Sequence, residues 1–135
     1  MTRRPSVLFV CLHGSAKSLI ALEHFRRLAA ERGVVVDADS AGTEPDADIP
    51  ARVVQGLLAE GIDVRERRPR AVVQADVERA SRVVAFACDL GNLARPELAL
   101  ERWDDVPAVS EDFKKARDVI VSRLPRLLDE CLKPS

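Results

Sequence analysis

A short apolar run that ends at a cysteine is the feature that most constrains the fold of this chain. Val7 to Val10 is apolar throughout and too short for a buried helix, which predicts a strand covered on both faces, as in parallel sheets. From Ser18, apolar residues recur at helical spacing as far as Ala29, and Gly33 stands where a helix C-cap glycine belongs. Residues 11–18 are therefore predicted to form a loop between the carboxyl end of a buried strand and a helix.

The remainder of the chain alternates between predicted strands and helices. Strands are predicted over Val34 to Ala38, Arg82 to Ala87 and, more weakly, Leu98 to Trp103. Helices are predicted from Pro50 to Gly61 and from Glu111 to Leu132, the latter with a kink or break at Pro125, and a helical turn over Asp76 to Ala80. Ser40 to Thr43 is predicted to form a turn, and Arg65 to Arg70 an exposed connector.

This alternation predicts one α/β domain over residues 1–135, built on a doubly wound, four-stranded parallel sheet with helices on both faces. The strand order 2-1-3-4 is expected because the first strand must be central if its carboxyl end is to lie at the topological switch point, where ligands bind in such sheets. The loop after Cys11 begins at that end.

Composition excludes several classes of function. The 21 basic and 22 acidic residues nearly cancel, so no global field attracts nucleic acid or an anionic membrane. The apolar run near the N-terminus is too short for a signal segment or a membrane span. The three cysteines, Cys11, Cys88 and Cys131, have neither a disulfide pattern nor paired zinc-ligand spacing. We expect a cytoplasmic protein with free thiols, no metal site and no cofactor.

The loop itself predicts an oxyanion site. Successive backbone N–H groups at the start of a helix can point into one concavity, and the helix dipole adds to their attraction for a tetrahedral anion. The expected binding residues are Leu12, His13, Gly14, Ser15, Ala16, Lys17 and Ser18. The field that would hold phosphate also stabilises a cysteine thiolate, the nucleophilic form of Cys11, and Ser18 can donate a hydrogen bond to that sulfur.

A cysteine, five intervening residues, a basic residue and a serine, placed after an apolar strand, resemble the signature of the low-molecular-weight protein tyrosine phosphatase and arsenate reductase superfamily. The sequence from Phe9 to Ser18 is especially similar to that of the actinobacterial arsenate reductase branch. Ser40 to Thr43, Gly61 to Asp63 and Asp118 also fit the family pattern.

The resemblance implies roles for individual residues. In the family the cysteine attacks phosphorus to form a phosphocysteine, and an aspartate protonates the leaving oxygen and then activates water. Cys11 matches the nucleophile. The acid of the family lies in a late Asp-Pro pair, which points to Asp105 first and Asp104 second. The expected catalytic set is Cys11, Lys17, Ser18, Asp105 and Asp104.

This chain departs from the family pattern at several positions. Lys17 replaces an arginine whose planar fork grips two oxygens, whereas an ammonium is a point charge. Gly14 replaces an asparagine that fixes the loop, and Val106 separates Asp105 from its proline. Ala16 stands where some members have a second, protective cysteine, and Cys88 lies one step from the expected position of a relay cysteine.

Three functional hypotheses follow. The first is hydrolysis of phosphate monoesters, on phosphotyrosine or a similar aryl phosphate, through a Cys11 phosphoenzyme. The second is thiol-dependent reduction of arsenate, with a small thiol as partner, since arsenate and phosphate share their geometry. The third is an oxyanion or phosphoprotein-binding module, in which Lys17 supports binding of the anion but not turnover.

Four other side chains have alternative interpretations. His13 either orients the loop or has no catalytic duty, and Trp103 either lines the pocket mouth or packs in the core. Cys88 is interpreted as core or pocket wall rather than a redox partner, and His24 as structural. Cys131 is expected to be inert.

Overall fold

The computed structural model describes residues 4–93 and 98–133. The elements, in chain order, are β1 (Ser6–Cys11), α1 (Lys17–Glu31), β2 (Asp37–Gly42), α2 (Ala51–Leu58), α3 (Gln74–Arg79), β3 (Arg82–Phe86), a 3₁₀ turn (Gly91–Leu93), β4 (Leu100–Arg102) and α4 (Phe113–Leu132). The prediction of one domain over residues 1–135 includes residues outside these ranges and stays a prediction. Within those ranges, no helix has the length and apolar character needed to cross a membrane.

The four strands form one parallel sheet in the order β2-β1-β3-β4. The predicted sheet and its strand order are therefore confirmed. Cys11, the last residue of β1, is in register with Gly42 of β2 and with Phe86 of β3. Three parallel strands thus end at the same level, and the loops that follow them meet at one edge of the sheet.

Helices cover both faces of the sheet, as the alternating pattern predicts. The larger core lies between the sheet and α1, α2 and α4, and contains Phe9, Phe25 and Leu124, all fully buried or nearly so. A smaller core on the opposite face includes Leu8, Val10 and Val83 and is closed by Val77 of α3. Both faces of β1 are therefore buried, which explains why its sequence is apolar throughout.

The predicted second strand, Val34 to Ala38, is wrong in its position. The strand is Asp37–Gly42, an edge strand with a polar sequence, paired with β1 along its whole length. Val34 and Val36 instead pack against the main core from the connector after α1, and Val35 is 65% exposed. Of the tetrapeptide Ser40 to Thr43, predicted as a turn, the first three residues form the end of the strand and Thr43 follows it.

The last helix is continuous through Pro125, so of the predicted kink or break the break is wrong and the kink stays a prediction. Leu124, Leu127 and Leu128 are buried on either side of the proline, and this packing outweighs the single lost backbone hydrogen bond. The helix begins at Phe113 because the Asp112 side chain caps it, accepting the Lys115 N–H at 3.0 Å.

Other boundaries move by a few residues. α2 begins at Ala51 after Pro50 and ends at Leu58 rather than Gly61, and β3 ends at Phe86, since Ala87 has a φ of 49°. Trp103 packs in the core: it is 2% exposed and meets Phe86 edge to face, with ring centroids 5.5 Å apart.

Candidate active site

Cys11 lies at the carboxyl end of β1, and its sulfur already has two polar neighbours. The Gly14 N–H donates to Cys11 Sγ at 3.2 Å, and Ser18 Oγ lies 3.0 Å from the same sulfur. Cys11 is 6% exposed, and Ser18 is fully buried in the first turn of α1. A donor and a hydroxyl aimed at one sulfur are the arrangement that stabilises a thiolate.

The N-terminus of α1 opens toward the loop. Ala16 precedes the helix without a side-chain cap, and the helix's hydrogen bonding starts with Ile20 N to Ala16 O at 2.9 Å. The backbone N–H groups of the first helical turn are available to an anion for that reason. Lys17, the first residue of α1, lines the adjoining cavity, and within the described ranges its ammonium has no ion-pair partner.

The segment after β2 is bonded to the loop by its backbone. Thr43 N donates to Cys11 O at 3.2 Å, Glu44 N to Leu12 O at 2.7 Å and Asp46 N to His13 O at 3.1 Å. These bonds continue the β1–β2 ladder beyond the strand ends. They place the Asp46 side chain beside the Cys11–Ser18 loop.

A cavity of about 510 Å³ opens above Cys11. Its wall is largely apolar and includes Leu12, Ala16, Pro50, Val53, Phe86, Ala108 and Val109. The ionisable side chains that line it, besides Cys11, are His13, Lys17, Asp46 and Arg52. An apolar wall with a few convergent polar groups is the usual composition of a small-molecule site.

Asp46 connects two residues of the loop. Its Oδ1 lies 3.1 Å from His13 Nδ1, and its Oδ2 accepts a hydrogen bond from Ser15 Oγ at 3.0 Å. Ser15 is buried, whereas His13 and Asp46 are partly exposed at the cavity. Within the described ranges, no group of three histidine, cysteine, aspartate or glutamate side chains is placed to hold a metal ion.

Asp105 and Asp104, the expected acids, are not brought into the cavity. Arg123 holds both carboxylate oxygens of Asp105, with Nη1 to Oδ1 at 2.9 Å, and these hydrogen bonds lower the pKa of that carboxyl. Asp104 accepts the Ala87 N–H at 2.9 Å and the Arg102 Nε–H at 3.0 Å. Among the described residues lining the cavity, neither aspartate is present.

Comparison with known proteins places this geometry in a family. The family model described as "Low molecular weight phosphotyrosine protein phosphatase" matches residues 6–102. The chain belongs to this family. A curated protein of Halobacterium salinarum that bears the name "Putative arsenate reductase" is 28% identical over 127 residues, covering 90% of this chain and 89% of its own.

Solved structures of the family have the same fold. The crystal structure of YfkJ from Bacillus subtilis matches with a TM-score of 0.80 and 26% identity, covering 96% of this chain and 95% of its own. The low molecular weight protein tyrosine phosphatase from T. tengcongensis has a TM-score of 0.82 and 22% identity, with coverage of 93% and 99%. The thioredoxin-dependent arsenate reductase of Corynebacterium glutamicum has a TM-score of 0.80 and 21% identity, covering 96% of this chain and 63% of its own.

The other cysteines of this family member are reduced. Cys88 is 5% exposed, and its thiol points at the carbonyl of Val10 with a sulfur–oxygen distance of 3.5 Å. Burial raises the pKa of the Cys88 thiol, and the nearby Cys11 raises it further. Cys131 is half-buried in α4, where burial also raises the pKa of its thiol. Neither thiol has the character of an activated nucleophile.

Sequence reasoning did not find Asp46 and Arg52, the two charged residues that reach the cavity from outside the loop. Asp46 follows β2, and Arg52 lies in the first turn of α2, where its Nη1 donates to the carbonyl of Ser110. Within the described ranges, Arg52 has no ion-pair partner. A correct end for β2 would have placed Asp46 beside Cys11, because adjacent parallel strands end at one edge.

Proposed function

We propose that this protein hydrolyses phosphate monoesters through a phosphocysteine formed on Cys11. The observation that carries the proposal is the position of Cys11 Sγ between the Gly14 N–H and the Ser18 hydroxyl, at the start of the loop that leads into α1. Family membership supports it, since the matching family is described by phosphotyrosine phosphatase activity.

In the first step of the proposed reaction, the Cys11 thiolate attacks phosphorus and the bond between phosphorus and the leaving oxygen breaks. The loop amides and the Lys17 ammonium balance the charge on the transferring phosphoryl group. In the second step, water attacks the phosphocysteine, the sulfur–phosphorus bond breaks, and Ser18 donates a hydrogen bond to the departing thiolate.

The cavity wall supports an aryl or otherwise apolar leaving group. Leu12 is 40% exposed at the lip, and Pro50 and Val109 lie on the wall. Contact between such a surface and an aromatic ring is favourable, by about 25 cal/mol for each Å² of apolar surface removed from water. We therefore take phosphotyrosine-type esters as the substrate class, handled in a reducing, cytoplasmic environment that keeps Cys11 free.

A turnover assay tests this proposal. Purified protein is incubated with 4-nitrophenyl phosphate, and quenched samples are examined by mass spectrometry for a phosphoryl group on the Cys11 peptide. Cys11→Ser should abolish turnover, whereas the matched variant Cys131→Ser should keep it, because Cys131 lies in α4, away from the cavity. Turnover that survives Cys11→Ser would overturn the proposal, while phosphate binding without turnover would favour a binding module.

Arsenate reduction is the second candidate, supported by the named reductase relative. Cys11 would displace water from arsenate to form a sulfur–arsenic bond. A second thiolate would then attack Cys11 sulfur, so that the bonding pair passes to arsenic, arsenite leaves and a disulfide forms.

The source of the second thiol can be tested. Because burial raises the pKa of Cys88, a small external thiol is the better attacking group. We expect any arsenite production to depend on added thiol and to survive Cys88→Ala. Loss of that activity in Cys88→Ala would assign the second thiol to the protein instead.

A further inference from the structure

His13 and Asp46 form a pair of ionisable groups that the loop chemistry described so far does not use. His13 Nδ1 lies 3.1 Å from Asp46 Oδ1, and Ser15 Oγ fixes the other carboxylate oxygen at 3.0 Å. The backbone bond from Asp46 N to His13 O, at 3.1 Å, holds the two residues together. Both side chains line the cavity above Cys11.

The contact places Nδ1 of the imidazole on the side of the Asp46 carboxylate. With Nδ1 facing a carboxylate, Nε2 is the nitrogen that can meet a ligand. A carboxylate on the Nδ1 side can position the imidazole for proton exchange at Nε2. The other charged groups of the cavity, Lys17 and Arg52, are cations that can hold the anionic substrate beside it.

Cleavage of an unactivated ester requires a proton donor in this cavity. An alkoxide or phenoxide is a poor leaving group, and a positioned acid contributes about 10²- to 10⁴-fold to such steps. Asp105 is held in an ion pair with Arg123 that keeps it deprotonated, and Asp104 is engaged by Ala87 and Arg102. An imidazole can donate a proton from a ring nitrogen when charged and accept one there when neutral, which suits both steps.

We propose that His13 is the general acid and base of this site and that Asp46 is the residue that positions it, an inference that rests on the phosphatase function proposed above. In the first step His13 Nε2–H gives its proton to the leaving oxygen as Cys11 forms its bond to phosphorus. In the second step neutral Nε2 takes a proton from the attacking water, so the imidazolium and the Cys11 thiolate are both restored.

The experiment compares two esters that differ in their need for an acid. Phenyl phosphate has a poor leaving group, whereas 2,4-dinitrophenyl phosphate has a good one that leaves without a proton. The parameter measured is kcat/KM, because it reports the steps up to cleavage of the ester bond. His13→Asn should lower kcat/KM about a hundredfold on phenyl phosphate and much less on the dinitrophenyl ester.

Three further variants define the roles. Asp46→Asn should show the same selectivity for leaving group with a smaller loss, since it disturbs the imidazole without removing it. His13→Ala should regain turnover of phenyl phosphate when imidazole is added, which a purely structural role would not allow. Asp48→Asn is the matched control, because this exposed carboxylate lies two residues from Asp46 and contacts Arg68 at 3.8 Å.

The outcomes separate this inference from the proposed function. Equal losses on both esters in His13→Asn would overturn it, and so would a selective loss in Asp105→Asn or Asp104→Asn. A selective loss in Asp46→Asn while His13→Asn keeps full activity would also overturn it, because Asp46 would then be the acid. If neither ester is turned over by a Cys11-dependent route, the phosphatase proposal falls and the role of His13 falls with it.

Discussion

The backbone of Gly14 lies directly against that of Gly42: a Cβ built on Gly14 would stand 2.7 Å from Gly42 N. Gly14 belongs to the Cys11–Ser18 loop, and Gly42 ends β2. Gly14 also has a φ of 64°, a conformation that side chains disfavour. The shape of the loop therefore depends on close approach to a neighbouring strand as well as on its own sequence.

Gly14→Ala should damage the loop more than an unfavourable φ alone would. Backbone strain at a positive φ costs about 1–3 kcal/mol, and the clash with Gly42 forces the loop to move in addition. We expect a lower free energy of unfolding in urea and weaker phosphate binding by calorimetry.

Gly33→Ala is the matched control for that variant. Gly33 has a φ of 65°, but a Cβ there would meet nothing within 4 Å. It should therefore show the cost of the conformation without the clash, with phosphate binding unchanged. Equal effects of the two substitutions on unfolding and binding would contradict the role of the contact with Gly42.

The fold was largely predictable because its central strands carry strong local signals. β1 and β3 are buried on both faces and therefore apolar, and α1 shows its buried stripe at helical spacing. The prediction misplaces β2 because an edge strand that pairs along its length only with β1 needs little hydrophobicity. Its residues gain their strand conformation from pairing with β1, which no local pattern records.

The misplaced end of β2 also explains why part of the candidate site could not be predicted. The Cys11 to Ser18 loop is contiguous, so its chemistry can be inferred from sequence order. Asp46 meets that loop through backbone bonds that depend on where β2 ends. The prediction of Asp105 as the acid rests on its position near a proline. Its pairing with Arg123, a residue of α4, is a tertiary contact without a signal in the local sequence.

Ser18→Ala should slow turnover while leaving the fold intact. The Ser18 hydroxyl lies 3.0 Å from Cys11 Sγ, and a hydrogen bond to a charged group contributes about 1.5–3 kcal/mol. Its loss should reduce kcat on 4-nitrophenyl phosphate by about 10- to 100-fold. Ser122→Ala, at an exposed position of α4, serves as the control. A fully active Ser18→Ala would show that the hydroxyl does not assist the sulfur.

Stability should depend on pH through His24. This side chain is 6% exposed, and burial lowers its pKa from the ordinary 6.5, opposed by the charge of Glu60. Its Nε2 lies 3.0 Å from Glu60 Oε2 but is not aligned as a hydrogen bond, and Arg117 Nε also binds Glu60, at 3.0 Å. The carboxylate is therefore shared and does not offset the cost of burying an imidazolium.

The sign of this pH dependence follows from linkage. Below pH 6.5 the unfolded chain binds a proton at His24 that the folded chain resists, so stability present above that pH is lost as the pH falls toward the lowered pKa. Urea unfolding between about pH 7.5 and 5.5 should show a decline that is reduced in His24→Gln. A decline unchanged in His24→Gln would assign it to other groups.

The last prediction concerns Lys17, which stands in the family's arginine position at the start of α1 and lines the cavity. If lysine supplies charge without the planar fork, Lys17→Arg should raise kcat/KM on aryl phosphates about tenfold, equivalent to about 1.4 kcal/mol of transition-state stabilisation. Lys17→Gln, which removes the charge at similar length, should lower it. If Lys17→Arg instead weakens phosphate binding and gains no activity, the cavity is shaped around an ammonium and the case for a binding module is strengthened. We expect the gain, because Cys11 and Ser18 keep the contact that a nucleophile needs and a binding module does not.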